Sequence, residues 1–167
     1  MDRHPSLYER DILLWSEEQA DALRRLKAGR RDLPNELDLD NIVEEIESVG
    51  RSELHAVESL LVQALSHLLK LARDPGGDAA NHWRGEITAF LGQARRQFAP
   101  SMRQRIDLAA IWADAVRQLA NARLIDRAAA DALTQGGVPF TLDALLNPDL
   151  DLDAAAARIA PPPPADD

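Results

Sequence analysis

The chain has 167 residues, of which 28 are acidic and 19 are basic, so its formal charge is −9. It contains no cysteine, which excludes disulfide scaffolds, thiolate metal sites and cysteine nucleophiles. Its 28 alanines and 25 leucines far outnumber the 14 valines and isoleucines, and this composition favours helices over strands.

The hydrophobic period predicts a first helix over residues 6–28, ended by Gly29, and a long second helix over residues 41–72 capped by Asp40. The apolar stripe of the second helix includes Ile42, Ile46 and Val49 in its first half. Gly50 interrupts this stripe on its apolar side. A glycine there either lets another helix approach closely or introduces a kink.

Two further helices are predicted over residues 81–99 and 102–124, followed by a short helix from Asp126 to Gly136 and a turn or two over residues 141–146. We therefore expect an all-α, up-and-down bundle of four main helices with one or two short C-terminal helices, forming a single domain over residues 1–150. Residues 151–167 are rich in Ala, Asp and Pro, and we predict a disordered tail there. One tryptophan on each of three helices is expected to anchor the core: Trp15, Trp83 and Trp112.

Several stretches carry a family resemblance. The segment 8–20 contains a Tyr…Asp…Trp…Glu-Gln-Ala pattern, and residues 39–53 read LDNIVEEIESVGRSE. Residues 67–70 read HLLK, residues 82–84 read HWR, and residues 139–146 begin Pro-Phe-Thr-Leu. Together they resemble a bacterial family of uncharacterised helical proteins, domain of unknown function 29, although Leu71 stands where that family usually has tryptophan. The resemblance implies an all-helical bundle and no established activity.

One carboxylate stands out when the second helix is projected at 100° per residue. Glu53 falls inside the apolar stripe, where a carboxylate needs a partner or a raised pKa. We expect it to form a structural ion pair, either with Arg84 or with a residue near Arg51 across the bundle. The sharper alternative is a general base or metal ligand in an interior polar site, whose candidate members are Glu44, Glu47, Glu53, His67 and Arg84. No Glu-x-x-His pair supports a di-metal centre, and we expect His67 to cap a helix or form a hydrogen bond at an interhelical contact.

The middle of the chain is locally basic. Residues 73–105 contain six basic and three acidic side chains, and four arginines lie around Pro100: Arg95, Arg96, Arg103 and Arg105. A solvated end of the bundle is the expected interpretation, and an anion or nucleic-acid contact is the alternative. No helix-turn-helix pattern or phosphate loop accompanies these arginines.

These observations favour a non-enzymatic interaction protein that presents a helical surface to a protein partner or to a second copy. The rivals are a metal-binding or enzymatic bundle and a nucleic-acid contact, which the net negative charge disfavours. No cofactor is expected. No apolar run approaches the roughly 20 residues of a membrane span, so we expect no membrane contact and a cytoplasmic location.

Overall fold

The computed structural model describes residues 6–30 and 32–159, and the regular secondary structure in these ranges is helical, without a strand. The predicted all-α class is therefore confirmed. The α-helices are α1 (Leu7–Arg10), α2 (Ile12–Gly29), α3 (Leu39–Arg73), α4 (Ala80–Gln97), α5 (Leu108–Asn121), α6 (Arg127–Gly136), α7 (Leu142–Leu145) and α8 (Leu152–Ile159), and a 3₁₀ helix spans Pro100–Gln104. No helix in the described ranges has the length and apolar character needed to cross a membrane.

Carboxylates begin several of these helices and explain where two predicted helices are interrupted. The Asp11 side chain accepts a hydrogen bond from the Leu14 amide at 3.0 Å, which ends α1 and starts α2 within the predicted first helix. Asp107 does the same for α5, so the predicted fourth helix is divided into a 3₁₀ turn and α5. Asp126 caps α6 as predicted. The Asp40 cap is wrong by two residues, because Asp38 accepts the bond from the Asn41 amide.

The chain divides into two compact units. The first comprises residues 1–57 and 97–106, as far as they are described, and α3 enters the second unit after Val57. Within the first unit Gly50 is buried against α2: a Cβ atom built on it would lie 2.1 Å from Ser16 Oγ and 3.2 Å from Ser16 Cβ. Gly50 thus permits the close helix approach that its position in the stripe predicted.

The second unit comprises residues 58–96 and 107–167, described as far as residue 159. Its core is aliphatic around Trp112, which is only 2% exposed and donates its indole N–H to the Leu133 carbonyl at 3.0 Å. The other fully buried large side chains of this unit include Leu61, Leu65, Leu68, Leu69, Leu71, Ile87, Leu119 and Leu145. The single domain predicted for residues 1–150 stays a prediction.

The predicted tail is wrong for residues 152–159, which form α8. Ala155 and Ala156 are buried, and Asp153 pairs with Arg84 of α4 at 2.7 Å. Small alanine side chains let this short helix lie close against its neighbours, which composition alone does not predict. Residues 160–167 lie outside the described residues.

Candidate functional site

Glu44 and Glu47 belong to a group of surface ion pairs in the first unit. Arg51 pairs with Glu44, and Glu47 pairs with Arg24 of α2 at 2.7 Å. Glu44 is exposed and Glu47 is half-buried. Glu47 therefore links α2 to α3 at the surface, whereas the pair of Glu44 with Arg51 lies within α3. Such surface pairs contribute about 0–1 kcal/mol each.

Glu53 is half-buried at the edge of the α3 stripe. The buried positions of this part of α3 are seven residues apart, at Val43, Gly50 and Val57, and Glu53 lies on the flank of that line. Its suggested partner Arg84 instead binds Asp153 and reaches the Pro75 carbonyl at 3.2 Å. The predicted pairing of Glu53 with Arg84 is therefore wrong, and Glu53 forms no ion pair with another described residue.

His67 lies in the second unit, on the part of α3 that faces α4. Its Nδ1 is 2.9 Å from the Gln63 carbonyl oxygen, and its ring packs against Phe90 of α4 with centroids 5.6 Å apart. The histidine thus packs between two helices while its hydrogen bond stays within its own helix. Across residues 6–30 and 32–159, no three His, Asp or Glu side chains converge as a metal centre requires.

The four arginines near Pro100 are divided between the two units. In the second unit Arg96 is exposed, and half-buried Arg95 reaches the Asn147 carbonyl at 3.4 Å. In the first unit Arg103 lies over the Phe98 ring, 5.6 Å from its centroid. Arg105 of the same unit pairs with Glu17 of α2. The nucleic-acid contact at these arginines stays a prediction.

A surface groove in the first unit joins α1, α2 and the start of α3. It has a volume of about 480 Å³, and we call it the α3 groove. Tyr8 and Trp15 form one wall as an edge-to-face pair, with centroids 4.8 Å apart and planes at 80°. The residues that line the groove are Tyr8, Trp15, Asp38, Asn41, Ile42, Glu45, Ile46 and Val49.

The apolar side chains of this groove are only partly covered. Tyr8 is 56% exposed, Ile42 37% and Val49 44%. The apolar period predicts that Ile42, Ile46 and Val49 pack into the bundle, and this prediction is wrong for the exposed Ile42 and Val49. The spacing along α3 contains a signal for this exposure. Val43, Gly50 and Val57 form one buried line of the helix, and Ile42, Ile46 and Val49 form a second apolar line beside it.

Asp11 is the most buried carboxylate among the described residues, and sequence analysis did not single it out. Beyond capping α2, it accepts hydrogen bonds from the Ser101 amide at 2.9 Å and the Ser101 hydroxyl at 2.6 Å. Burial raises the pKa of Asp11, but the bonds from Ser101 and the Leu14 amide outweigh it, so its pKa is lowered overall. The carboxylate therefore links α2 to the 3₁₀ helix, and this role is structural.

The described residues thus define an all-helical protein with an open apolar groove on its long helix. The chain belongs to the family described as domain of unknown function DUF29, which matches residues 7–150. It is also similar to an alpha-helical protein of unknown function from Rhodospirillum rubrum ATCC 11170, whose crystal structure was determined at 1.45 Å resolution. The two are 34% identical with a TM-score of 0.80, and the match covers 95% of this chain and 100% of that one. No curated protein matches the sequence.

Proposed function

We propose that the protein is a non-enzymatic interaction module that binds an amphipathic helix of a partner protein in the α3 groove. The observation that carries the proposal is the second apolar line of α3. Ile42, Ile46 and Val49 have the i, i+4, i+7 spacing with which one helix receives another.

The charge of the groove indicates what the partner presents. Among the described residues, Asp38 and Glu45 are the only charged ones that line it, and both are acidic. Glu45 forms no ion pair among the described residues, whereas its neighbour Glu44 is paired with Arg51. A helix with apolar anchors on one face and lysine or arginine beside them complements this lining.

Covering the exposed apolar side chains contributes measurably to binding. Complete burial of a large apolar side chain contributes about 1.5–3 kcal/mol, so covering the exposed parts of Tyr8, Ile42 and Val49 contributes about 1 kcal/mol each. The resulting total of about 3 kcal/mol corresponds to roughly a hundredfold in affinity. Loss of one of these side chains is therefore measurable.

The proposal is tested with two synthetic helical peptides that share leucines at i, i+3, i+4 and i+7. One peptide has lysines beside the leucines and the other has glutamates, and binding of each is measured by fluorescence anisotropy. We expect the lysine peptide to bind at least tenfold more tightly than the glutamate peptide. Ile42→Asp and Val49→Asp should each weaken it at least tenfold.

Leu37→Asp is the matched control, because Leu37 is 41% exposed and does not line the groove. Equal binding of the two peptides, or equal losses in Ile42→Asp and Leu37→Asp, contradicts the proposal. A second copy of the chain is the alternative occupant. Light scattering at high protein concentration tests this alternative. A dimer of the parent chain that is lost in Val49→Asp shows that a second copy occupies the groove.

A further inference from the structure

The second unit contains a larger cavity of about 1020 Å³, which we call the α6 cavity. Its walls come from the end of α3, from α5 with the turn that follows it, from α6, and from the end of α8. Leu69, Trp112 and Leu119 supply large apolar side chains to the walls. This volume lies at the upper end of the range of pockets that bind small molecules.

The sequence of α6 explains why a cavity forms here. Ala129, Ala132, Leu133 and Gly136 line it at the i, i+3, i+4, i+7 spacing of one helix face. No residue of α6 is buried, and three of these four side chains are Ala or Gly. The apolar face of α6 is therefore directed at a space that its own small side chains do not fill.

Three arginines line the same cavity. They are Arg73 at the end of α3, Arg123 after α5 and Arg158 in α8. None of the three forms an ion pair within the described part of the chain. Asp126, the one acidic residue in the described part of the lining, already accepts a hydrogen bond from the Ala129 amide at 2.8 Å. The described lining therefore combines apolar walls with three cations and one anion.

Arg123 occupies an unusual backbone position. Its φ of 57° makes it the one non-glycine residue with positive φ among the described residues. Its amide binds the Ala120 carbonyl and the Leu124 amide binds the Leu119 carbonyl, each at 2.9 Å. This is the Schellman ending of a helix, in which the left-handed position is usually glycine. An arginine is thus held at the cavity in a conformation that disfavours it.

We propose that the α6 cavity binds a single-chain anionic amphiphile, with its aliphatic chain between α5 and α6 and its anionic headgroup at Arg73, Arg123 and Arg158. Apolar walls match an aliphatic chain, and cations with no acidic partner among the described residues match a carboxylate or phosphate. Concave walls from four helices suit a flexible chain better than a partner helix, whose diameter is about 10 Å.

Isothermal titration calorimetry on the full chain tests this site with four dodecyl probes kept below the concentrations at which they form micelles. Dodecanoate and dodecyl phosphate carry the anionic headgroups, whereas dodecanol and dodecyltrimethylammonium are neutral and cationic. We expect both anions to bind at least tenfold more tightly than the other two probes. The ratio of the affinities for dodecanoate and dodecyl phosphate distinguishes a carboxylate site from a phosphate site.

Arg123→Gly separates loss of the site from loss of the fold. Glycine suits the positive φ, so the variant should melt at the same temperature as the parent or higher while binding dodecanoate at least tenfold more weakly. Ala132→Phe should also abolish binding, because its ring occupies the cavity without a change of charge. Arg117→Ala is the control, since Arg117 pairs with Asp114 of its own helix and does not line the cavity.

Equal affinity for all four probes reveals nonspecific apolar adhesion and overturns the proposal. Unchanged dodecanoate binding in Arg123→Gly, or loss of binding in Arg117→Ala, also overturns it. If the cavity binds none of the four probes but binds a peptide helix, the ligand is a protein and the amphiphile proposal is overturned. None of these outcomes depends on the α3 groove, which lies in the first unit.

Discussion

Gly50 allows the packing of the first unit to be tested by the sign of a stability change. Glycine within a helix costs about 1 kcal/mol relative to alanine, so Gly50→Ala stabilises the protein if the position is open. The added Cβ instead meets Ser16 Oγ at 2.1 Å, Leu13 Cδ1 at 3.1 Å and Ser16 Cβ at 3.2 Å. The contact with Ser16 Cβ cannot be relieved by side-chain rotation.

The magnitude follows from these contacts. Overpacking a closely packed contact costs about 1–3 kcal/mol. If the Ser16 hydroxyl turns away, it also loses its buried hydrogen bond to the Leu13 carbonyl, which costs about 1–3 kcal/mol. After the helix-propensity gain of about 1 kcal/mol is subtracted, Gly50→Ala should lower the free energy of unfolding by about 1–5 kcal/mol, or about 3 kcal/mol at the centre of these ranges. For a chain of this length that central value lowers the thermal midpoint by about 6–12 °C.

Thermal and urea unfolding followed by circular dichroism measure this change, with Gly85→Ala as the matched control. Gly85 lies within α4 with nothing near its added Cβ, so its replacement should raise stability by about 1 kcal/mol. In a Ser16→Ala background, Gly50→Ala should cost about 1 kcal/mol less, because the Oγ contact is gone. The reasoning is refuted if Gly50→Ala stabilises the protein as Gly85→Ala does, or if Ser16→Ala leaves its cost unchanged.

Three further substitutions test individual contacts. The pKa of Asp11 is lowered in the folded state, so its ionised carboxylate stabilises the fold. This contribution to the free energy of unfolding is complete above the unfolded pKa near 3.9, and it is lost as pH falls through the folded pKa. Asp11→Asn should therefore lower the free energy of unfolding by about 1–2 kcal/mol at pH 7. The variant should also lose less stability than the parent below about pH 4, and a steeper loss in acid contradicts this. Trp112→Phe should lower the free energy of unfolding in urea by about 1–2 kcal/mol, because the Leu133 carbonyl loses the hydrogen bond from the indole N–H. An unchanged free energy of unfolding indicates that this hydrogen bond contributes little. Asp153→Asn breaks the partly exposed ion pair with Arg84, so calorimetry should show a melting temperature only about 1–2 °C lower. A melting temperature lower by about 10 °C indicates that α8 detaches.

The sequence predicted the helices well because their signals are local. The long second helix predicted from its apolar period and the cap at Asp126 both depend on residues within one or two turns, and both predictions are confirmed. Gly50 could be interpreted for the same reason, since its place in the stripe indicated which face another helix approaches. Family motifs at residues 8–20 and 39–53 added the fold class and left the activity open.

Predictions that required partners across the fold failed. Arg84 was expected to bind Glu53 and instead binds Asp153, a residue of α8 that is 69 positions away in the chain. The α3 groove was missed because projection shows which residues share a face and cannot show how much of that face is covered. The α6 cavity depends on the distance at which α6 is held from α5, which an alanine-rich sequence does not determine.

The central claim is that the α3 groove binds an amphipathic helix. Its most direct test is a ¹⁵N NMR titration of the full chain with the lysine-flanked peptide. We expect the largest shifts at the Trp15 indole N–H and at the amides of residues 42–49, with residues that line the α6 cavity unaffected. Shifts that are absent from the groove, or that persist undiminished in Ile42→Asp, contradict the account.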